Sequence, residues 1–154
     1  WGHAKDYVEM QWLMLQQIEP KDYVIATGRT ETIRKFIEIC SIDLGWNKNE
    51  NCSGIIWEGQ GINEVGRRYD NGEIVIRIDS RYFRPTEVDS LQGDSSKAFK
   101  ELGWRPKTSL EEIISEMIKH DSREAQKALI LKNKGFKLNN PIEIMPNINK
   151  NDQR

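Results

Sequence analysis

A short apolar segment between two amphipathic stretches constrains the fold of this chain most. Tyr23–Ala26 is almost entirely apolar, and strands of this kind are typical of a parallel sheet that is covered on both faces. Residues 4–17 before it and residues 33–44 after it both have helical spacing. The order therefore predicts helix, strand and helix in an α/β fold.

Both predicted helices have recognisable ends. The first stops at Glu19-Pro20, because proline cannot continue a helix. The second begins after Thr30 or Thr32, either of which can cap it, and stops at Gly45. The first helix carries an apolar stripe that we expect to be core: Ala4, Val8, Trp12 and Leu15.

Strands are predicted between Ser53 and Asp79. Ile55–Trp57 forms one strand, and Ile74, Ile76 and Ile78 alternate on one face of another, with a turn at Asp70–Gly72 between strands.

The last part of the chain is predicted to be helical again. Asp94 can cap residues 95–102. Thr108 and Glu111 form a capping-box pattern before a helix with Leu110, Ile113, Ile114 and Met117. Asp121 and Glu124 repeat that signal, and we expect the final helix to end near Gly135.

Composition excludes several classes of function. The net charge of −1 gives no basic field for nucleic acid, and no apolar run approaches the roughly 20 residues of a membrane span. Cys40 lies on an apolar helix face and Cys52 in a polar loop, which suggests neither a metal site nor a disulfide. We therefore expect a cytoplasmic protein with reduced thiols and without a metal, nucleic-acid or membrane partner.

Arg84 and Glu87 lie three residues apart beside Pro85, between a predicted strand and a predicted helix. The guanidinium fork of arginine suits a diphosphate, and a carboxylate suits the paired hydroxyls of a ribose. The pair could therefore hold a sugar nucleotide. The alternative is a surface ion pair that contributes about 0–1 kcal/mol.

Several strings of residues occur in an order that resembles a known family. They are Trp1–Val8, Asp22–Gly28, Trp57–Gly59, Asn63–Gly66, Arg84–Asp89, Gln92–Asp94 and Leu102–Pro106. From Trp1 to about Gly135 the chain resembles the C-terminal half of the GDP-mannose 4,6-dehydratases, which belong to the extended short-chain dehydrogenase/reductase superfamily.

The resemblance implies a domain organisation. Residues 1–46 would be the end of an NAD(P)-binding Rossmann-like sheet, and residues 47–135 a small α/β domain that binds the GDP-sugar. Residues 136–154 read as a poorly ordered tail.

The motifs of cofactor binding and catalysis in this superfamily are absent from the sequence. The nearest glycine-rich string, Gly59–Gly66, has the wrong spacing for a dinucleotide turn. No tyrosine is followed four residues later by the lysine of Tyr-x-x-x-Lys. We therefore expect no catalytic and no cofactor-binding residue in this chain, which would be an inactive fragment that lacks the N-terminal half of the enzyme.

The resemblance also implies the parent's activity. With bound NADP, the parent lyase would convert GDP-mannose to GDP-4-keto-6-deoxymannose, a step of nucleotide-sugar metabolism toward GDP-fucose, and would form a homodimer or homotetramer. By matching position, Arg84 would bind the diphosphate and Glu87 the ribose, while Tyr82 would line the same pocket. Two alternatives remain open: a related dTDP- or UDP-sugar enzyme, and a non-catalytic nucleotide-sugar-binding domain.

Other polar residues have structural alternatives. We expect His3 to hydrogen-bond the backbone rather than to catalyse. Lys5 and Asp6 could touch a substrate phosphate, or Asp6 could start a helix. Arg67–Arg68 resembles a phosphate site, but we expect it to be an exposed hairpin end or part of a subunit contact instead.

Overall fold

The structure is a computed structural model that describes residues 1–49, 52–82, 84 and 90–137. Its helices are α1 (Ala4–Leu15), α2 (Ile33–Asp43), α3 (Ser96–Leu102) and α4 (Leu110–Asn133). Its strands are β1 (Ile55–Glu58), β2 (Val65–Arg68) and β3 (Ile74–Arg77), and short 3₁₀ turns cover Gly61–Asn63 and Ser80–Tyr82. The predicted mixture of helices and strands is confirmed.

The chain divides into two compact units, Trp1–Lys119 and His120–Arg154. The described part of the second unit is the later part of α4 and its end. Because α4 is continuous through Asp121 and Glu124, the prediction that these residues cap a new helix is wrong. Gly135, with φ of 82°, takes the left-handed conformation that closes the helix, as predicted. There the amide of Phe136 donates to the carbonyl of Leu131 at 3.1 Å.

The predicted limits of α2 are confirmed, because they depend on local hydrogen bonds. Of the two candidate caps, Thr32 is the one used, and its Oγ1 accepts from the amide of Lys35 at 3.0 Å. Gly45 follows the helix with φ of 72°. For α1 the cap is His3, whose Nδ1 accepts from the amide of Lys5 at 3.0 Å.

The strands form one antiparallel sheet in the order β1-β2-β3. Gly66 pairs with Trp57 on one side and Ile76 on the other. A Cβ at Gly66 would lie only 3.1 Å from the Cβ of Ile76, so glycine allows this close packing. The turn at Asp70–Gly72 is confirmed, whereas Ile78 lies beyond the end of β3 and is exposed.

The prediction of a strand at Tyr23–Ala26 is wrong for this structure. No strand is assigned within residues 17–32. A strand needs a neighbour for its backbone hydrogen bonds, and none of the described residues supplies one. The segment instead lies along residues 91–101, where the Tyr23 hydroxyl donates to Glu101 at 2.9 Å and Lys97 donates to the carbonyl of Asp22 at 2.9 Å.

The main core lies where α1 and α3 meet. Met10, Ala98 and Trp104 are buried there, and the half-buried Tyr23 and Ile25 pack against them. The predicted core stripe of α1 is on the opposite face: Val8 is 60% and Trp12 59% exposed. The buried face of α1 is the one that carries Met10.

The predicted capping box is wrong by one residue. Ser109 and Glu112 form it, since the amide of Ser109 donates to Glu112 at 2.7 Å and the amide of Glu112 to Ser109 Oγ at 3.2 Å. The physical reason is that the Thr108 amide donates to the Asp6 carboxylate at 2.9 Å instead. Asp94 does bind the start of α3, where it accepts from the amide of Ser96 at 2.9 Å.

Candidate functional site

Tyr82 and Arg84 follow the last strand of the sheet. Tyr82 ends the 3₁₀ turn after β3 and is 63% exposed, and Arg84 is exposed in the coil that follows. Glu87 lies outside the described residues. Tyr82 and Arg84 are thus both accessible and lie two positions apart in the chain, while the pairing of Arg84 with Glu87, as a ligand clamp or a surface ion pair, stays a prediction.

Asp79 fixes the turn that precedes this segment. Its Oδ1 accepts from the amide of Arg81 at 2.9 Å, and its carboxylate accepts from the Arg81 guanidinium at 2.6 to 3.1 Å. The amide of Tyr82 donates to the carbonyl of Asp79 at 3.0 Å. Hydrogen bonds from the side chain and amide of Arg81 hold the pKa of Asp79 below its usual value.

A second set of contacts fixes the chain after the segment. Thr30 Oγ1 donates to the carbonyl of Leu91 at 3.0 Å, and the side-chain amide of Gln92 donates to the carbonyl of Gly28. A Cβ on Gly93 would lie 2.5 Å from the Cβ of Ala26. Only glycine allows residues 91–93 to approach the 26–30 segment this closely.

A cavity of about 350 Å³ lies at the start of α4. Its walls include Trp1, Arg29 and residues 105–111. Two of its cations are engaged within the protein: Arg105 lies over the ring of Phe99 at 3.7 Å, and Lys107 pairs with Glu9 at 2.7 Å. Neither Tyr82 nor Arg84 lines this cavity.

The polar residues near the first helix have structural roles. His3 caps α1, as its backbone alternative predicted, and its Nε2 lies 3.2 Å from Glu116. Asp6 is 4% exposed and accepts from the amides of Lys107 and Thr108 at 2.9 Å each. Burial raises the pKa of Asp6, but these hydrogen bonds outweigh burial, and the net pKa lies below the usual value.

Arg67 and Arg68, at the end of β2, are engaged by other residues of the chain. Arg67 Nε donates to Glu58 at 2.8 Å, and Arg68 makes a two-pronged pair with Asp70 at 2.7 and 3.0 Å. The Arg68 guanidinium also lies 4.5 Å from the ring centroid of Trp46. These contacts support the hairpin interpretation over a phosphate site.

Within the described ranges, no helix is long and apolar enough to cross a bilayer. No group of three or more histidine, cysteine or acidic side chains in those ranges could hold a metal ion.

The residues predicted from the sequence for this site did not include Asp79 and Gly93, whose contacts hold the chain before and after Tyr82 and Arg84. The Asp79-x-Arg81 spacing was an available signal, since an aspartate often binds the amide two residues on. The close approach of Gly93 to Ala26 had no local signal, because it joins distant parts of the chain.

Comparison with known proteins establishes the family. The family described as GDP-mannose 4,6 dehydratase matches residues 1–117. The chain belongs to this family. It is 49% identical over 121 residues to a GDP-mannose 4,6 dehydratase of Cricetulus griseus, covering 79% of this chain and 31% of the relative.

A bacterial and a human relative are also similar to this chain. A GDP-mannose 4,6-dehydratase of Yersinia enterocolitica is 42% identical over 153 residues, covering 93% of this chain and 39% of the relative. The human relative is 47% identical over 121 residues, which is 79% of this chain and 31% of the relative. This member of the family therefore spans about a third of the length of the relatives it matches.

Proposed function

We propose that this chain is the GDP-sugar-binding part of a GDP-mannose 4,6-dehydratase. The full-length enzyme, a lyase, would convert GDP-mannose to GDP-4-keto-6-deoxymannose. The observation that carries the proposal is the family match over residues 1–117, which includes the Arg84–Asp89 string. The exposure of Tyr82 and Arg84 supports it, because substrate-binding side chains must be accessible.

Arg84 would bind the diphosphate, Glu87 the ribose, and Tyr82 would line the same pocket. None of these groups reaches the reacting hexose in this assignment. Their binding energy would hold the sugar in place for reaction, and positioning of this kind lowers a chemical barrier.

The glycine-rich string Gly59–Gly66 does not fit NADP, the cofactor that the family implies. Gly59 and Gly61 have φ of 83° and 57°, but they lie in the connection between the antiparallel strands β1 and β2. A dinucleotide turn instead joins a strand to a helix whose N-terminus faces the pyrophosphate. We infer that the part of the enzyme outside this chain holds NADP and the catalytic groups, and that this chain alone is inactive.

The same proposal covers domain organisation. Residues 1–46 would complete the Rossmann-like domain, residues 47–135 would form the substrate domain, and residues 136–154 would be a C-terminal tail. The exposed Val8, Trp12 and Val24 support the first assignment, because a buried sheet would cover such apolar side chains. The resemblance further supports a cytoplasmic homodimer or homotetramer for the complete enzyme.

Kinetics of the full-length enzyme test the assignment of Arg84. Arg84→Ala should raise KM for GDP-mannose and lower kcat, with a total loss of about 2–5 kcal/mol, because the diphosphate charge loses its partner. Glu87→Ala should act in the same direction but more weakly, since a ribose hydroxyl is neutral.

Two controls make this test specific. NADP binding should hardly change in either variant, and Arg77→Ala, which removes an exposed arginine of β3, should behave like wild type. Wild-type kinetics for Arg84→Ala would support the surface ion pair and refute the proposed site. Comparable turnover of a dTDP- or UDP-hexose would refute the proposed substrate.

A further inference from the structure

We propose that Asp79 is a positioning residue for GDP-sugar binding. It would fix the turn that presents Tyr82 and Arg84, without touching the substrate itself. This inference rests on the proposed function of Arg84, so its test must separate the two.

The geometry gives the Asp79 carboxylate two contacts with one neighbour. Its Oδ1 accepts from the Arg81 amide at 2.9 Å, and its Oδ2 pairs with Arg81 Nη2 at 2.6 Å. The carbonyl of Asp79 adds a third restraint by accepting from the amide of Tyr82 at 3.0 Å. Together these contacts fix the backbone from Asp79 to Tyr82, which lies two positions before Arg84.

The Arg81 guanidinium extends the effect to a predicted site residue. It lies 5.4 Å from the ring centroid of Tyr82, within the range of a cation–π contact. The carboxylate of Asp79 therefore holds the cation that lies against Tyr82.

The contribution of this arrangement should appear in binding rather than in global stability. Side chains of Asp79 and Arg81 are 26% and 52% exposed, and ion pairs near the surface stabilise a fold little. A segment that is ordered before the ligand arrives, however, loses less conformational entropy on binding. Freeing this turn should therefore weaken binding while the fold persists.

The experiment measures GDP affinity of the full-length enzyme by calorimetry. Asp79→Ala removes both contacts of the carboxylate, and we expect it to weaken GDP binding about tenfold, a change that corresponds to about 1.4 kcal/mol. Asp79→Asn keeps an acceptor for the Arg81 amide but loses the charge, so it should recover part of the affinity. The affinity for NADP and the melting temperature should stay close to wild type in both variants.

The chain contains a matched control. Arg68 and Asp70 form a two-pronged pair at the same sequence separation, at 2.7 and 3.0 Å, in the turn between β2 and β3. Asp70→Ala removes a pair of the same kind away from Tyr82 and Arg84, and should leave GDP affinity unchanged. Equal losses of GDP affinity in Asp70→Ala and Asp79→Ala would overturn the inference, because the effect would then be structural.

Arg84→Ala, measured in parallel, separates the inference from the proposed function. If Arg84→Ala weakens GDP binding and both Asp79 variants bind like wild type, the inference is wrong and the proposed function stands. If neither Arg84→Ala nor Asp79→Ala affects GDP binding, the proposed site is wrong and the inference fails with it. Should Asp79→Ala fail to fold, Asp79→Asn decides: wild-type affinity in that variant overturns the inference.

Discussion

Removing the Asp6 carboxylate should release the start of α4 from α1. Asp6 Oδ2 accepts from the amides of Lys107 and Thr108 at 2.9 Å each. The backbone carbonyl of Asp6 also accepts from Trp104 Nε1 at 2.8 Å, and a side-chain substitution leaves this bond in place. The change thus removes the two amide bonds of the carboxylate, together with its smaller interaction with the Thr108 side chain.

The magnitude follows from these two bonds. A hydrogen bond to a charged group contributes about 1.5–3 kcal/mol. Both amides share one oxygen and are only partly buried, so water replaces some of the loss. We expect Asp6→Ala to cost about 2–4 kcal/mol, and Asp6→Asn about half as much, because a neutral acceptor forms bonds roughly half as strong.

Hydrogen–deuterium exchange in the full-length enzyme measures this loss locally. Peptides that cover residues 104–109 should exchange faster in Asp6→Ala, by about tenfold for each 1.4 kcal/mol lost. Glu9→Gln is the control, because Glu9 pairs with the Lys107 side chain at an exposed site, and such pairs contribute about 0–1 kcal/mol. Unchanged exchange of residues 104–109 in Asp6→Ala at neutral pH would refute the reasoning.

The same contribution has a defined pH dependence. The pKa of Asp6 is lower in the folded chain than its usual value, so the folded state favours the ionised carboxylate. The stabilisation is therefore complete above the pKa of an unfolded aspartate, about 3.9. It is lost as the pH falls through the lower folded-state pKa. Wild type and Asp6→Asn should converge in that acidic range.

Two further predictions concern the segment around the site and the chain as a whole. Gly93→Ala should weaken GDP binding in the full-length enzyme, because the new Cβ would lie 2.5 Å from the Cβ of Ala26. Adding Ala26→Gly should restore part of the GDP affinity. An affinity that stays as low as in Gly93→Ala would refute this cause. The purified chain, supplied with GDP-mannose and NADP, should show no turnover, and measurable product would place catalytic groups within it.

The features predicted correctly from sequence depend on neighbouring residues. Thr32 caps α2 through the amide of Lys35, three positions along the chain, and Gly45 ends that helix with a positive φ. The turn at Asp70–Gly72 is determined in the same local way. Short-range hydrogen bonds of this kind can be inferred from a few consecutive residues.

The features predicted wrongly depend on distant residues. The capping box shifts to Ser109 because the Thr108 amide donates to Asp6, 102 positions away. The proposed site also combines local and distant features. Tyr82 and Arg84 come from a local string and their role stays a prediction, whereas the contact of Gly93 with Ala26 depends on the tertiary fold.

Two wrong predictions, the strand at Tyr23–Ala26 and the core stripe of α1, have a common explanation. Val24 is exposed while its neighbours Tyr23 and Ile25 are half-buried, so Val24 lies on the uncovered side of this segment. On α1, Met10 is buried while Val8 and Trp12 are exposed. Each element therefore has an apolar side chain on its uncovered face. Because the aligned region covers only 31–39% of the matched relatives, we propose that these faces pack against other parts of the full-length enzyme.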